Sequence, residues 1–189
     1  MKKGFTLVEL LIVIGILAIL TAAVVVVLNP GELLKQARDA QRLSDLDSVK
    51  SAVALYLATA TTPSLSDAGA TDEAYITASS TTGLPFTISL TGISSTTAID
   101  GSGWVGVQLS DTSGGSPIAA LPVDPTNSGT YFYGWAEDDS ELTFELNARL
   151  ESTKHRGKMT NDGGNKNTCS TYAESTCFYE VGTDPGLDL

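Results

Sequence analysis

The 189 residues include one histidine, His155, with two cysteines and two methionines, and that leaves little for chemistry. A single imidazole excludes histidine-rich metal centres. There is no Gly-rich phosphate loop, no nucleophile elbow and no acid pair set in an evident cleft, so nothing assembles into a catalytic mechanism. The reading is not an enzyme, with no catalytic residue, no metal ligand set and no cofactor. Lysine and arginine are missing from the whole stretch 51–148. Acids recur there at Asp67, Asp72, Glu73, Asp100, Asp111, Asp124, Glu137, Asp138, Asp139, Glu141 and Glu145, and the formal net charge is −11. A surface of that sign repels nucleic acid and favours solubility. Cys169 and Cys177 fit no zinc spacing. In a domain outside the cytoplasm, such a close pair points to one short-loop disulfide.

The opening of the chain is its most informative part. Met1-Lys2-Lys3-Gly4 runs into Phe5-Thr6-Leu7-Val8-Glu9-Leu10 and then an apolar run to Leu28 in which Glu9 is the one charge. As a helix, Phe5–Leu28 would reach roughly 36 Å, enough to cross a bilayer. A conventional secretory signal has a shorter apolar core and a small-residue cleavage site, and neither is present here. Lys2 and Lys3 place the N-terminus inside and everything after Leu28 outside. A plain anchor explains the length and the lysines but not Glu9. A carboxylate in such a span costs on the order of 2.5–3.5 kcal/mol, so it asks for a partner.

Helical character continues past Asn29-Pro30-Gly31. Leu43, Leu46, Val49, Val53, Tyr56 and Ala60 step by three and four, one stripe of an amphipathic helix, with Arg38, Asp39, Arg42, Asp45, Asp47 and Lys50 covering the other faces. One long helix over Phe5–Thr59 is expected, kinked at Pro30 and Gly31. Residues 61–103 are rich in Ser, Thr, Ala and Gly. They read as a long connection with a short strand near Phe86–Leu90 and would suit O-linked modification. Strands are expected at Trp104–Leu109, Tyr131–Trp135, Leu142–Leu150 and Phe178–Val181. The fold class that follows is α+β, a long N-terminal helix packed on a small antiparallel sheet whose apolar face covers the helix stripe.

At Gly4-Phe5-Thr6-Leu7-Val8-Glu9, behind Lys2 and Lys3, the chain resembles the type IV pilins and the pseudopilins of type II secretion systems. The resemblance is specific over residues 1–60. Beyond them it rests on fold pattern, on Leu121-Pro122-Val123-Asp124-Pro125, similar to a proline-aspartate-proline turn of major pseudopilins and some bacterial pilins, and on the pilin-like cysteine pair. It implies a prepilin leader at 1–4 and a membrane and filament-core helix at 5–28. After these come the amphipathic half at 29–60, the connection at 61–103 and a sheet with a C-terminal disulfide loop at 104–189. It further implies cleavage between Gly4 and Phe5 by a prepilin peptidase that methylates Phe5, and a role for Glu9 in assembly. The partners implied are further copies in a helical filament, the pilus assembly machinery and, before assembly, the cytoplasmic membrane.

Two roles for Glu9 stay open. A neighbour displaced along the axis could bring its Phe5 amine to this carboxylate, pairing two charges each costly alone. Alternatively, Glu9 bonds to the first turn of its own helix, where the dipole favours an acid. The basic segment Lys154-His155-Arg156-Gly157-Lys158 suits the acidic face of an adjacent subunit. Asp162-Gly163-Gly164-Asn165 and Glu137–Glu141 carry oxygens but not the spacing of a calcium loop, and they read as solvated turns.

Overall fold

A computed structural model describes residues 4–66, 72–78, 83–169 and 176–189. Lys2, Lys3 and Asp67 lie outside them. The N-terminal helix is long but interrupted. Helix α1 spans Leu7–Leu28 and α2 spans Pro30–Thr59, and Asn29 between them is left-handed at φ 41° and ψ 72°. Asn tolerates that conformation and closes α1. Pro30 then opens α2 at a position whose missing N–H costs nothing. The Asn29 carbonyl accepts from Glu32 N at 2.9 Å and starts the new helix. The expected kink is therefore a one-residue break.

Strands β1 (Ala74–Ile76), β2 (Gly92–Ile93), β3 (Tyr133–Asp138), β4 (Thr143–Ala148) and β5 (Tyr179–Gly182) form one sheet in the order β2-β1-β3-β4-β5. It is mixed rather than wholly antiparallel, because β2 pairs with β1 in parallel, Tyr75 opposite Gly92, while every other pairing is antiparallel. A parallel pair requires a crossover rather than a hairpin between its strands.

The alternation in β4 sorts the two faces. Phe144, Leu146 and Ala148, with Tyr133 and Trp135 of β3, meet Leu46, Val49, Val53 and Tyr56 of α2 in the main core. The other face is covered as well. Ala74, Ile76, Phe132, Ala136 and Phe178 pack there with Phe86. Gly134 makes room for that contact, since a Cβ on it would sit 2.6 Å from Phe86 Cζ. Phe86–Leu90 thus serves as a cover and not as a strand. Trp104, Val105, Val107 and Leu109 are buried as their alternation suggests, yet they form no ladder. Gly103 presses against the Ala98 carbonyl, and Trp104 Nε1 donates to the Pro122 carbonyl at 2.8 Å.

Candidate functional site: the exposed apolar helix and the domain it carries

Helix α1 has no described neighbours on any side. Phe5 is 82% exposed and Val27 81%, and the large apolar side chains between them stand equally open, down to Val13 at 47%. The segment Leu7–Val25 is long and apolar enough to span a membrane, and none of it is buried within the chain. An apolar residue left bare costs roughly 1.5–3 kcal/mol relative to burying it, so more than a dozen together demand lipid or protein around them. A helix apolar all round is suited to such a surrounding and not to a one-sided core. Its few polar groups are met internally. Thr21 Oγ1 donates to the Leu17 carbonyl at 2.7 Å.

Glu9 lies in the first turn. Thr6 is the N-cap, extended at φ −81° and ψ 151°, and its hydroxyl accepts from Glu9 N at 3.3 Å. Glu9 reaches back, Oε2 accepting from Thr6 N at 2.9 Å and Thr6 Oγ1 at 2.7 Å. This is a reciprocal capping box. In the single chain, Glu9 makes the local contacts, and both fall on one carboxylate oxygen. Gly4 and Phe5 precede the helix in exposed, non-helical chain, open on all sides.

Charge inside the domain is concentrated where α2 meets the sheet, and here the pattern reading needs correcting. Asp39 and Arg42 do not cover an outer face: both are fully buried. Arg42 Nε donates to Asp124 Oδ2 at 2.6 Å, Nη1 to Asp39 at 2.9 Å and Glu151 at 2.8 Å, and Nη2 to Asp124 Oδ1 at 3.1 Å. Arg38 adds a fork on Glu151 at 2.6 and 2.8 Å. Burial alone would weaken Arg42's hold on its proton. The bonds to Asp124, Glu151 and Asp39 outweigh it and raise the pKa. The Pro122-Val123-Asp124-Pro125 turn is thereby fastened to the helix, and Asp124 Oδ1 also accepts from Thr126 N and Asn127 N.

Elsewhere burial dominates the state of several carboxyls. Burial first, then the charges of Asp139, Glu73 and Asp72, push Glu137 up to about 7. Glu145 and Glu180 lie on the back face of the sheet, and burial holds both above the usual carboxylate range.

Cys169 and Cys177 form a disulfide, with Cys177 buried against Leu150 and Met159. Among the described residues no cluster of three or more His, Cys, Asp or Glu suited to a metal is present. Asp162 accepts from Gly164 N and Glu180 N, and Asp138 Oδ1 from Ser140 N and Glu141 N, both as turn caps. Ser152 Oγ and Asp39 Oδ2 lie 3.3 and 3.8 Å from the same His155 nitrogen, Nδ1, which gives no relay of protons.

Residues 1–25 match the family model for the prokaryotic N-terminal methylation motif, the class III signal peptide of type IV pilins. The match covers Gly4, Phe5, Glu9 and most of α1. No curated protein and no solved structure matches the chain. The motif supports a precursor of the pilin or pseudopilin type and points to a structural subunit.

Proposed function

We propose that the chain is the structural subunit of a type IV pilus-like helical filament. Its precursor is held in the cytoplasmic membrane by α1, cut between Gly4 and Phe5 by a prepilin peptidase, methylated on Phe5, and assembled through α1. The observation that carries this reading is the bare apolar helix joined to the methylation motif. In the membrane α1 faces lipid; in the fibre it faces other copies of itself, with Leu7, Leu10, Leu11, Ile14, Leu17 and Leu20 packing helix on helix and Gly15 allowing close approach.

Glu9 works in two stages in this account. Before cleavage it caps its own helix through Thr6. After cleavage the new amine sits on Phe5, four residues before Glu9 and just outside the helix. A copy shifted along the fibre then brings its amine to the carboxylate, and each charge neutralises the other away from water. Glu9→Ala removes that pairing and leaves the apolar surface intact. The variant should be processed and membrane-held but should yield no sheared fibres. Fibres at wild-type yield from Glu9→Ala would sink the pairing.

A second reading shares everything up to residue 60: a pseudopilin that forms short fibres within a secretion system. The Pro122–Pro125 turn locked to Arg42 suits either reading. Fibres detached by shear from the cell surface favour the pilus.

A further inference from the structure

The charges of the folded domain are sorted along α2. Glu32 accepts from Thr153 N at 2.6 Å, and Asp39 accepts from Glu151 N and Ser152 N, so the segment that follows β4 lies beside the first turns of the helix. At the other end Ser64 N donates to the Tyr56 hydroxyl and Leu65 N to Asp139 Oδ1, so the β3–β4 turn lies beyond the last turns. Between residues 32 and 56 the helix rises roughly 36 Å.

The end nearest α1 is basic. Lys154 and Lys158 are exposed there, and the open groove of about 650 Å³ that they line runs along the β5 edge to Lys50, further along α2. Among the described residues no carboxylate lies within ion-pair distance of these three lysines. The acids in the groove wall are already engaged: both Asp162 oxygens accept backbone N–H groups, Glu180 is buried, and Asp184 accepts from Asp188 N.

The far end is acidic. Asp72 and Glu141 are exposed, and Asp138 and Asp139 are half-buried in the turn. Glu137 is buried among them, with Oε1 accepting from Glu73 N and Oε2 lacking a partner. The sequence from 51 to 148 holds no lysine or arginine that could serve this end from within.

We infer that the folded domains stack head to tail, the Lys154–Lys158 patch of one copy seating the Asp138–Glu141 turn and Asp72 of a second copy displaced along the helix axis. The inference rests on the filament reading above and adds the contact outside the helical core. Two different patches meet, so the interface is heterologous, the type that builds an open helical assembly when its rotation does not close. Opposite charge at the two ends selects register and rejects a reversed neighbour.

The test is carbodiimide cross-linking of sheared fibres grown from a mixture of light and heavy isotope-labelled full-length chains. The expected products are intermolecular peptides joining Lys154 or Lys158 to Asp72, Asp138, Asp139 or Glu141. In parallel, Lys154→Glu with Lys158→Glu should lower fibre yield by at least roughly tenfold, and adding Asp72→Lys with Glu141→Lys should restore much of it. Fibres whose intermolecular cross-links from these lysines run to other carboxylates overturn the stacking and leave the filament standing. So do fibres of the double glutamate variant at wild-type yield. Failure of the wild-type chain to form fibres removes the filament reading and the stacking with it.

Discussion

Replacing Arg42 by Met should be the most damaging single change in the domain. The side chain is fully buried, and its guanidinium is the one cation bonded to Asp124 and Asp39 within hydrogen-bond distance. Methionine keeps much of the volume, so the cavity term is small. What remains is electrostatic. Asp124 keeps its bonds from Thr126 N and Asn127 N, and Asp39 keeps Glu151 N and Ser152 N, but each buried carboxylate loses the cation bonded to it, and Asp39 retains only the more distant Arg38 and His155. Removing one partner of a buried pair costs about 3–5 kcal/mol, and here two acids lose theirs, so a loss near the upper end is expected at pH 7. Glu151 keeps Arg38 and adds less. Denaturant unfolding of the full chain in detergent micelles, followed by tryptophan fluorescence from Trp104 and Trp135, reads this directly. A loss below about 1 kcal/mol at pH 7 would refute the reasoning.

Stability should also fall as pH rises from about 5 to 8. Glu137, Glu145 and Glu180 keep protons in the folded state that the unfolded chain releases near 4.5, so folding binds protons and the benefit is lost on passing upward through the folded values. Glu137, moving from 4.5 to about 7, contributes roughly 3 kcal/mol at about 1.4 kcal/mol per pH unit. Glu180→Gln should flatten the profile, and a wild-type stability that is level or rising over this range would contradict the assignment. Reduction of the Cys169–Cys177 bond, with its sequence separation of 8, should cost roughly 2 kcal/mol and loosen the packing of Leu150 and Met159 while leaving α1 helical. Amide exchange before and after reduction locates the effect, and faster exchange spread through α1 would count against it.

Much of the scaffold was legible because it follows from period. The apolar run from Leu7 is unbroken over a helix's length, the stripe Leu46, Val49, Val53, Tyr56 repeats at helical spacing, and Phe144, Leu146 and Ala148 alternate, so stripe and strand each show a buried face in the sequence. Three features were not legible. Asp39 and Arg42 continue the same three-and-four stepping into Leu46, so their burial was encoded in spacing. Their charge argued for solvent, because the partner that offsets it, Asp124, lies 82 positions away in sequence from Arg42. Trp104–Leu109 has a strand's alternation, but Gly103 and the Pro122 contact hold it in irregular chain. The parallel β1–β2 pair depends on a crossover, which a reading of local pattern does not reveal. At the N-terminus the sequence offered first-turn groups of its own helix as one partner for Glu9, and the bonds from Thr6 N and Thr6 Oγ1 identify them.

Intact mass of the chain isolated from the membrane or from fibres bears most directly on what α1 is for. Processing as proposed predicts a polypeptide that begins at Phe5, lacks Met1-Lys2-Lys3-Gly4 and carries one extra methyl group on its amino nitrogen. A chain that still begins at Met1, or one cut beyond Leu28, would contradict it.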